Sequence, residues 1–103
     1  MSSPDAATAA RAEIHVVGRV QAVGYRDFAR RSAERAGVTG YAMNRADGSV
    51  CVVIEGARTV LEAVISELAR GPRLARVERV DVGWTEARGE FTEFSIRRGG
   101  RDA

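Results

Sequence analysis

Lysine is missing from this 103-residue sequence, and cysteine, histidine and proline are scarce. All 16 basic residues are arginine and 14 residues are acidic, so the formal net charge is only +2 although the pI is about 9.3. The arginines are spread along the chain and mostly alternate with acidic residues. This pattern is typical of a solvated surface rather than of a nucleic-acid-binding stripe. We therefore expect no nucleic-acid partner.

Cys51 is the single cysteine, so it has no partner for an internal disulfide and no second thiol for a metal cluster. The first dozen residues lack a basic start followed by an apolar run, which excludes a secretory signal. No stretch is long and apolar enough to span a bilayer. The sequence therefore predicts a cytoplasmic protein in a reducing compartment, without a membrane partner.

The length and composition suit one folded domain. The sequence is 45% hydrophobic and 29% charged, as in ordinary globular proteins. Small and polar residues dominate both ends. We expect a disordered N-terminal tail at residues 1–12, a domain at residues 13–98 and a disordered C-terminal tail at residues 99–103.

Hydrophobic periodicity predicts the elements of this domain. Alternating apolar residues indicate strands, and apolar residues three and four apart indicate helices. The predicted strands are residues 13–18, 38–45, 49–56, 77–85 and 91–97, and the predicted helices are residues 25–36 and 57–70. Asp47-Gly48 is a hairpin signal, so the second and third strands should pair antiparallel.

This order of elements predicts an α+β, ferredoxin-like sandwich (βαββαβ) with a short extra C-terminal strand. Its antiparallel sheet carries both helices on one face, and we expect the other face to be open. Tyr41, Met43, Cys51 and Val53 should make that outer face apolar, which is compatible with a monomer or a weak homodimer. His15 should also lie there, solvated and without a catalytic role.

The segment between the first strand and the first helix carries the chemistry. It runs from Gly18 to Arg26, with glycines at both ends and an arginine in the first helical turn. A helix N-terminus presents unpaired N–H groups and the positive end of its dipole, and arginine adds a fork that matches two phosphate oxygens. The loop is therefore suited to a phosphate, although such a loop also occurs as an ordinary strand-to-helix turn. It lacks the glycine and lysine pattern of a nucleotide-binding loop.

The motifs in this region resemble the acylphosphatase family, whose pattern is G-x-V-Q-G-V-x-x-R, followed by G-W-V-x-N and D-G-x-V. The matching stretches are Gly18 to Arg26, Gly40-Tyr41-Ala42-Met43-Asn44 and Asp47-Gly48-Ser49-Val50. The similarity continues through Glu55-Gly56, Gly71-Pro72 and Phe94-x-Ile96, in collinear order. The family has the fold predicted above.

The resemblance implies hydrolysis of small acyl phosphates to a carboxylate and inorganic phosphate, without metal or other cofactor. It implies that Arg26 and Asn44 are catalytic, with Arg26 binding the phosphoryl group and Asn44 positioning the attacking water. The phosphate-binding amides would be those of Gln21, Ala22, Val23, Gly24, Tyr25 and Arg26. From residue type alone, Asn44 near a strand end also suits a turn former.

Ala22 departs from the family pattern, in which glycine is usual. If this position needs a positive φ, alanine strains the loop by about 1 kcal/mol and weakens substrate binding several-fold. A catalytically weak or inactive anion-binding module is therefore the alternative function. An RNA reader of the same fold would carry stacking aromatics on the first and third strands, and these strands have none.

Overall fold

The computed structural model of the protein describes residues 8–98, which form five strands and two helices. In chain order they are β1 (Ala9–Arg19), α1 (Tyr25–Ala36), β2 (Thr39–Asn44), β3 (Val50–Ala57), α2 (Arg58–Arg70), β4 (Arg76–Glu86) and β5 (Phe94–Arg97). The strand order in the sheet is β4-β1-β3-β2-β5. This is the predicted ferredoxin-like topology with the extra strand at one edge.

The sheet is mixed rather than wholly antiparallel. β1 pairs antiparallel with both β3 and β4, and β2 pairs antiparallel with β3. β5 runs parallel to β2. The cause is the route of the chain after β4, which crosses from one edge of the sheet to the other before β5 begins. β5 therefore enters the opposite edge in the same direction as β2.

β1 begins four residues earlier than we predicted. Ala9 pairs with Ala57 of β3, and Ala12 is fully buried. The main-chain N–H of Arg58 also donates a hydrogen bond to the oxygen of Thr8 at 3.2 Å. Assigning residues 9–12 to a tail was therefore wrong, because pairing with β3 orders alanines whose own strand preference is weak. The remainder of the predicted tails, residues 1–7 and 99–103, lies outside the described residues.

The core lies between the helices and one face of the sheet. Alternating residues of the central strands point into it, as do the apolar faces of both helices. Its larger members are Ile14, Val16, Val20, Tyr25, Val50, Val52, Ile54, Leu61, Val64 and Leu68. Neither helix within residues 8–98 has both the length and the apolar character needed to cross a membrane.

The outer face of the sheet is partly covered, contrary to our prediction. Residues 87–93, here called the covering segment, cross it, and Val53 is only 2% exposed. The Glu55 carboxylate accepts hydrogen bonds from the main-chain N–H groups of Arg88 and Gly89, each at 3.0 Å. Arg11 donates to Glu55 at 3.0 Å, and also bonds Glu13 and Glu90. An ionic cluster thus anchors the segment.

The ends of several elements meet at one end of the molecule. The antiparallel register brings together the end of β1, the end of β2 and the start of β4, and β5 ends there because it is parallel to β2. The N-terminus of α1 and the C-terminus of α2 lie at this end too, since each helix is joined directly to these strands. The loop we predicted to bind phosphate is therefore surrounded by segments distant in sequence.

Candidate active site

A β-bulge at Gly18 sets the direction in which the chain leaves β1 and enters the loop. The register between β1 and β4 shifts between Val17 and Gly18, where Val17 pairs with Arg79 but Gly18 pairs with Val77. Gly18 has a φ of 140°, and a Cβ there would lie 2.2 Å from the main-chain oxygen of Arg76. Glycine is required for this close approach.

The loop enters α1 through Gly24, whose φ of 77° is left-handed. No side chain caps this helix, so the N–H groups of its first turn are left for an anion. Ala22 has a φ of 62° and is the one non-glycine residue within residues 8–98 with a positive φ. The condition under which alanine strains the loop, a positive φ at this position, is therefore met.

A cleft of about 170 Å³ opens at the helix N-terminus. It is lined by residues of the loop, by the predicted arginine and by the predicted asparagine. Its lining residues are Val20, Ala22, Gly24, Tyr25, Arg26, Asp27, Asn44 and Ile96. A larger depression of about 300 Å³, lined by Met43, Arg45, Ala46 and Asp47, lies on the adjacent turn and includes no helix N-terminus. Of these two, the smaller cleft is the candidate site, because backbone donors, a guanidinium and an amide converge there.

Arg26 lies in the first turn of α1, with its guanidinium oriented by the chain end of β5. Its Nη1 donates a hydrogen bond to the main-chain oxygen of Arg97 at 3.2 Å. No carboxylate within residues 8–98 forms an ion pair with Arg26, although Asp27 is adjacent. Asp27 instead pairs with Arg30 and Arg31, and the hydrogen bond from Arg30 is the main cause that lowers the pKa of Asp27. The Arg26 charge is therefore available to an anion.

Asn44 is the last residue of β2 and lies opposite Val50 of β3. No group in the described part of the chain hydrogen-bonds to its side-chain amide. The turn that follows it is braced by Gln21, whose Nε2 donates to the main-chain oxygens of Arg45 at 2.8 Å and Ser49 at 2.9 Å. The Gln21 side chain thus ties the loop to the turn beside Asn44, a role that sequence reasoning missed.

The loop residues divide their functions between main chain and side chain. Tyr25 is 1% exposed, and its hydroxyl donates to the main-chain oxygen of Leu68 at 2.6 Å. Burial raises the pKa of Tyr25, so the hydroxyl keeps its proton. Val23 packs against the same core. Of the residues predicted to bind phosphate, Val23 and Tyr25 therefore offer only their main-chain N–H groups.

We expected His15 to be solvated, but its ring forms a hydrogen bond with Ser49. Its Nε2 lies 2.6 Å from the hydroxyl of Ser49, which lies 2.5 Å from Oδ1 of Asp47. If the hydroxyl donates its single proton to Asp47, His15 must donate to Ser49. These hydrogen bonds stiffen the turn after Asn44, and His15 lies too far from Ser49 in sequence for the pattern to link them.

Comparison with known proteins shows the family of this chain. A family model described as Acylphosphatase matches residues 12–96. The chain belongs to the acylphosphatase family. It is 47% identical to an acylphosphatase of Salinibacter ruber, covering 88% of this chain and 96% of that protein. It is 54% identical to one of Thermus thermophilus, covering 72% of this chain and 84% of that protein.

The fold of this acylphosphatase agrees equally well with solved structures. The crystal structure of acylphosphatase from Bacillus subtilis matches with a TM-score of 0.83 at 30% identity, covering 85% of this chain and 98% of that one. The chain is thus an enzyme that hydrolyses acyl phosphates, with a small acyl phosphate as substrate and inorganic phosphate as product. The inactive anion-binding module is not favoured.

Proposed function

We propose that Arg26 and the main-chain N–H groups of residues 21–26 bind the phosphoryl group, and that Asn44 positions the attacking water. One observation supports this assignment: Asn44, whose side-chain amide has no protein partner in the described chain, lines the same cleft as the uncapped N-terminus of α1. The main-chain N–H groups of the loop supply positive partial charges, and the Arg26 guanidinium supplies a full positive charge. The amide supplies both a donor and an acceptor for a water molecule.

The chemistry needs little beyond these groups. Water attacks phosphorus, the bond between phosphorus and the acyl oxygen breaks, and the products are a carboxylate and dihydrogen phosphate. Because the carboxylate is already a good leaving group, no general acid has to protonate it. Catalysis then depends on holding the phosphoryl group, offsetting charge on its oxygens and orienting water in line. The proton of the water can pass to the phosphate oxygens of the substrate.

The first experiment measures phosphate release from benzoyl phosphate with EDTA present. We expect full activity, because every group assigned to the reaction belongs to the chain itself. Loss of activity in EDTA, restored by a divalent metal, would overturn the proposed metal-free mechanism.

We also propose that the protein is a cytoplasmic monomer. The covering segment shields Val53 on the outer face of the sheet, and the lone cysteine suits a reducing compartment.

The site assignment is tested with two variants and inorganic phosphate as a competitive inhibitor. Arg26→Ala should lose both turnover and inhibition by phosphate, because it removes the charged partner of the phosphoryl group. Asn44→Ala should lose turnover while phosphate still inhibits the residual activity or binds in a calorimeter. Arg35→Ala is the control, since Arg35 lies at the other end of α1 and pairs with Glu67. Near-normal turnover in Asn44→Ala would refute the role of the amide.

A further inference from the structure

The Arg26 guanidinium has a single hydrogen-bond partner within residues 8–98, the main-chain oxygen of Arg97. A long arginine side chain otherwise samples many rotamers, and this freedom is lost when it binds a phosphoryl group. Holding the guanidinium beforehand reduces that loss. The position of the Arg97 oxygen therefore influences where Arg26 rests before substrate arrives.

That oxygen belongs to the end of a weakly supported strand. β5 has four residues and lies at the edge of the sheet, paired only with β2. Arg97 is its last residue and lies opposite Met43. Strand ends with few partners open most readily. The oxygen that orients Arg26 needs a further contact to keep its place.

The side chain of Arg97 makes such a contact on the outer face of the sheet. Its guanidinium carbon lies 3.8 Å from the centroid of the Tyr41 ring and 6.0 Å from that of Phe91. The Tyr41 ring meets Phe91 edge-on, with centroids 5.8 Å apart. A cation above an aromatic face is attracted by the ring quadrupole. The end of β5 is thereby attached to β2 and to the covering segment.

We propose that Tyr41 and Arg97 are positioning residues for phosphoryl binding. The stacking of Arg97 on Tyr41 holds the end of β5 in place. The position of β5 sets the position of the Arg97 main-chain oxygen, and that oxygen orients the Arg26 guanidinium. This inference rests on the proposed role of Arg26. Since neither side chain touches the substrate, its loss should weaken binding of the phosphoryl group more than turnover of bound substrate. Asn44 keeps its position, because β2 stays paired with β3 and Gln21 braces the adjacent turn.

The experiment compares KM for benzoyl phosphate, kcat, and the inhibition constant of inorganic phosphate. Tyr41→Leu removes the aromatic face without changing charge, and Arg97→Ala removes the cation while retaining the main-chain oxygen. Each should raise KM and the inhibition constant roughly two- to fivefold with kcat nearly unchanged. Tyr41→Phe, which keeps the aromatic face, should retain wild-type values, and Arg97→Lys, which keeps the cation but not the planar guanidinium, should fall between the wild type and Arg97→Ala. The double variant should be no worse than either single variant, because both remove one contact.

Arg98→Ala is the matched control for charge. Arg98 follows β5 directly and is exposed, so its removal subtracts the same charge near the cleft. A rise in the inhibition constant for Arg98→Ala equal to that for Arg97→Ala, with Tyr41→Leu unchanged, would overturn the inference in favour of electrostatics alone. Additive effects in the double variant would overturn it as well.

Failure of this inference is distinguishable from failure of the proposed site. If Arg26→Ala abolishes phosphate inhibition while the Tyr41 and Arg97 variants match the wild type, the site stands and the positioning role is wrong. If Arg26→Ala leaves inhibition intact, the site assignment itself is wrong. A thermal melt of each variant identifies loss of folding. A Tyr41→Leu protein that melts below the assay temperature is replaced by Tyr41→Met, with the same expected and contrary results.

Discussion

Replacing Ala22 by glycine tests whether the loop stores strain. Ala22 adopts a φ of 62°, where a side chain other than glycine costs about 1–2 kcal/mol. Glycine removes this cost but adds about 0.4–1 kcal/mol of unfolded-chain entropy. Taking the middle of each range, the expected net gain is about 0.8 kcal/mol, which raises the Tm of a domain this size by about 3–6 °C.

The same strain should affect binding. A penalty of about 1 kcal/mol on the phosphate-binding form of the loop corresponds to about a fivefold change in an equilibrium constant. The strain counts only once: the part that the empty loop keeps lowers the Tm, and the part that it loses by relaxing weakens binding, so Ala22→Gly should lower the inhibition constant of phosphate by at most about fivefold, with kcat unchanged. Both quantities are measured on one preparation, by a thermal melt and by inhibition of benzoyl phosphate hydrolysis.

Ala46→Gly is the control for this experiment. Ala46 is exposed in the turn between β2 and β3 and does not have a positive φ. It should show only the entropic cost of glycine, a Tm lowered by a few degrees. If Ala22→Gly behaves in the same way, with a lower Tm and an unchanged inhibition constant, the reasoning about strain at Ala22 is refuted.

Three further predictions follow from contacts around the site and the outer face. Gly18→Ala should cost about 3 kcal/mol or more in free energy of unfolding, measured with urea, because its Cβ would lie 2.2 Å from the oxygen of Arg76. Glu55→Gln should cost about 1–2 kcal/mol at pH 7, less than the ~3–5 kcal/mol for breaking a fully buried pair, because Arg11 keeps two other carboxylates and the covering segment is a single stretch of chain. Gln21→Ala should lower kcat by about tenfold and should raise the inhibition constant of phosphate by a smaller factor. It removes the two hydrogen bonds that hold the turn next to Asn44, the residue proposed to position the water.

The Glu55 prediction includes a pH dependence. Burial opposes ionisation of Glu55, but the N–H groups of Arg88 and Gly89 and the Arg11 guanidinium outweigh it and lower the pKa below 4.5. A lowered folded-state pKa gives stability that is complete above the unfolded-state pKa and is lost as pH falls through the folded-state value. The wild type should thus lose more stability than Glu55→Gln on acidification, and parallel curves would contradict this.

The other two predictions also have clear contrary results. A wild-type urea midpoint for Gly18→Ala would mean that the bulge moves without cost. A Gln21→Ala enzyme with unchanged kcat would mean that the turn after Asn44 keeps its shape without the two hydrogen bonds from the glutamine. Circular dichroism of Gln21→Ala excludes general unfolding as the cause of any loss.

Local pattern predicted the elements well, because the signals are local. Apolar alternation marked the strands, helical spacing marked α1 and α2, and Asp47-Gly48 marked the hairpin. The start of β1 was missed because alanine carries little strand preference and its order comes from pairing with β3. The parallel pairing of β5 and the covering segment were missed for the same reason, since each depends on contacts between residues far apart in sequence.

The site was predicted less completely than the fold. Arg26 and Asn44 were selected through the family motif, and the structure places both in one cleft. The brace from Gln21 and the chain from His15 through Ser49 to Asp47 were not predicted, because they join residues that meet only once the sheet has formed. Polar residues of this kind give no periodic signal.

The division between main chain and side chain in the loop affects how the enzyme responds to random mutation. Apart from the Arg26 guanidinium, the donors assigned to the phosphoryl group are peptide N–H groups, which nearly every substitution preserves. An alanine scan of residues 21–25 would therefore register damage to bracing and packing while leaving the donors intact. Proline alone among the standard residues deletes such a donor. A mutational survey would therefore find that the loop tolerates more substitutions than its central position in the site suggests. Most codon changes alter a side chain and leave the main-chain N–H group in place.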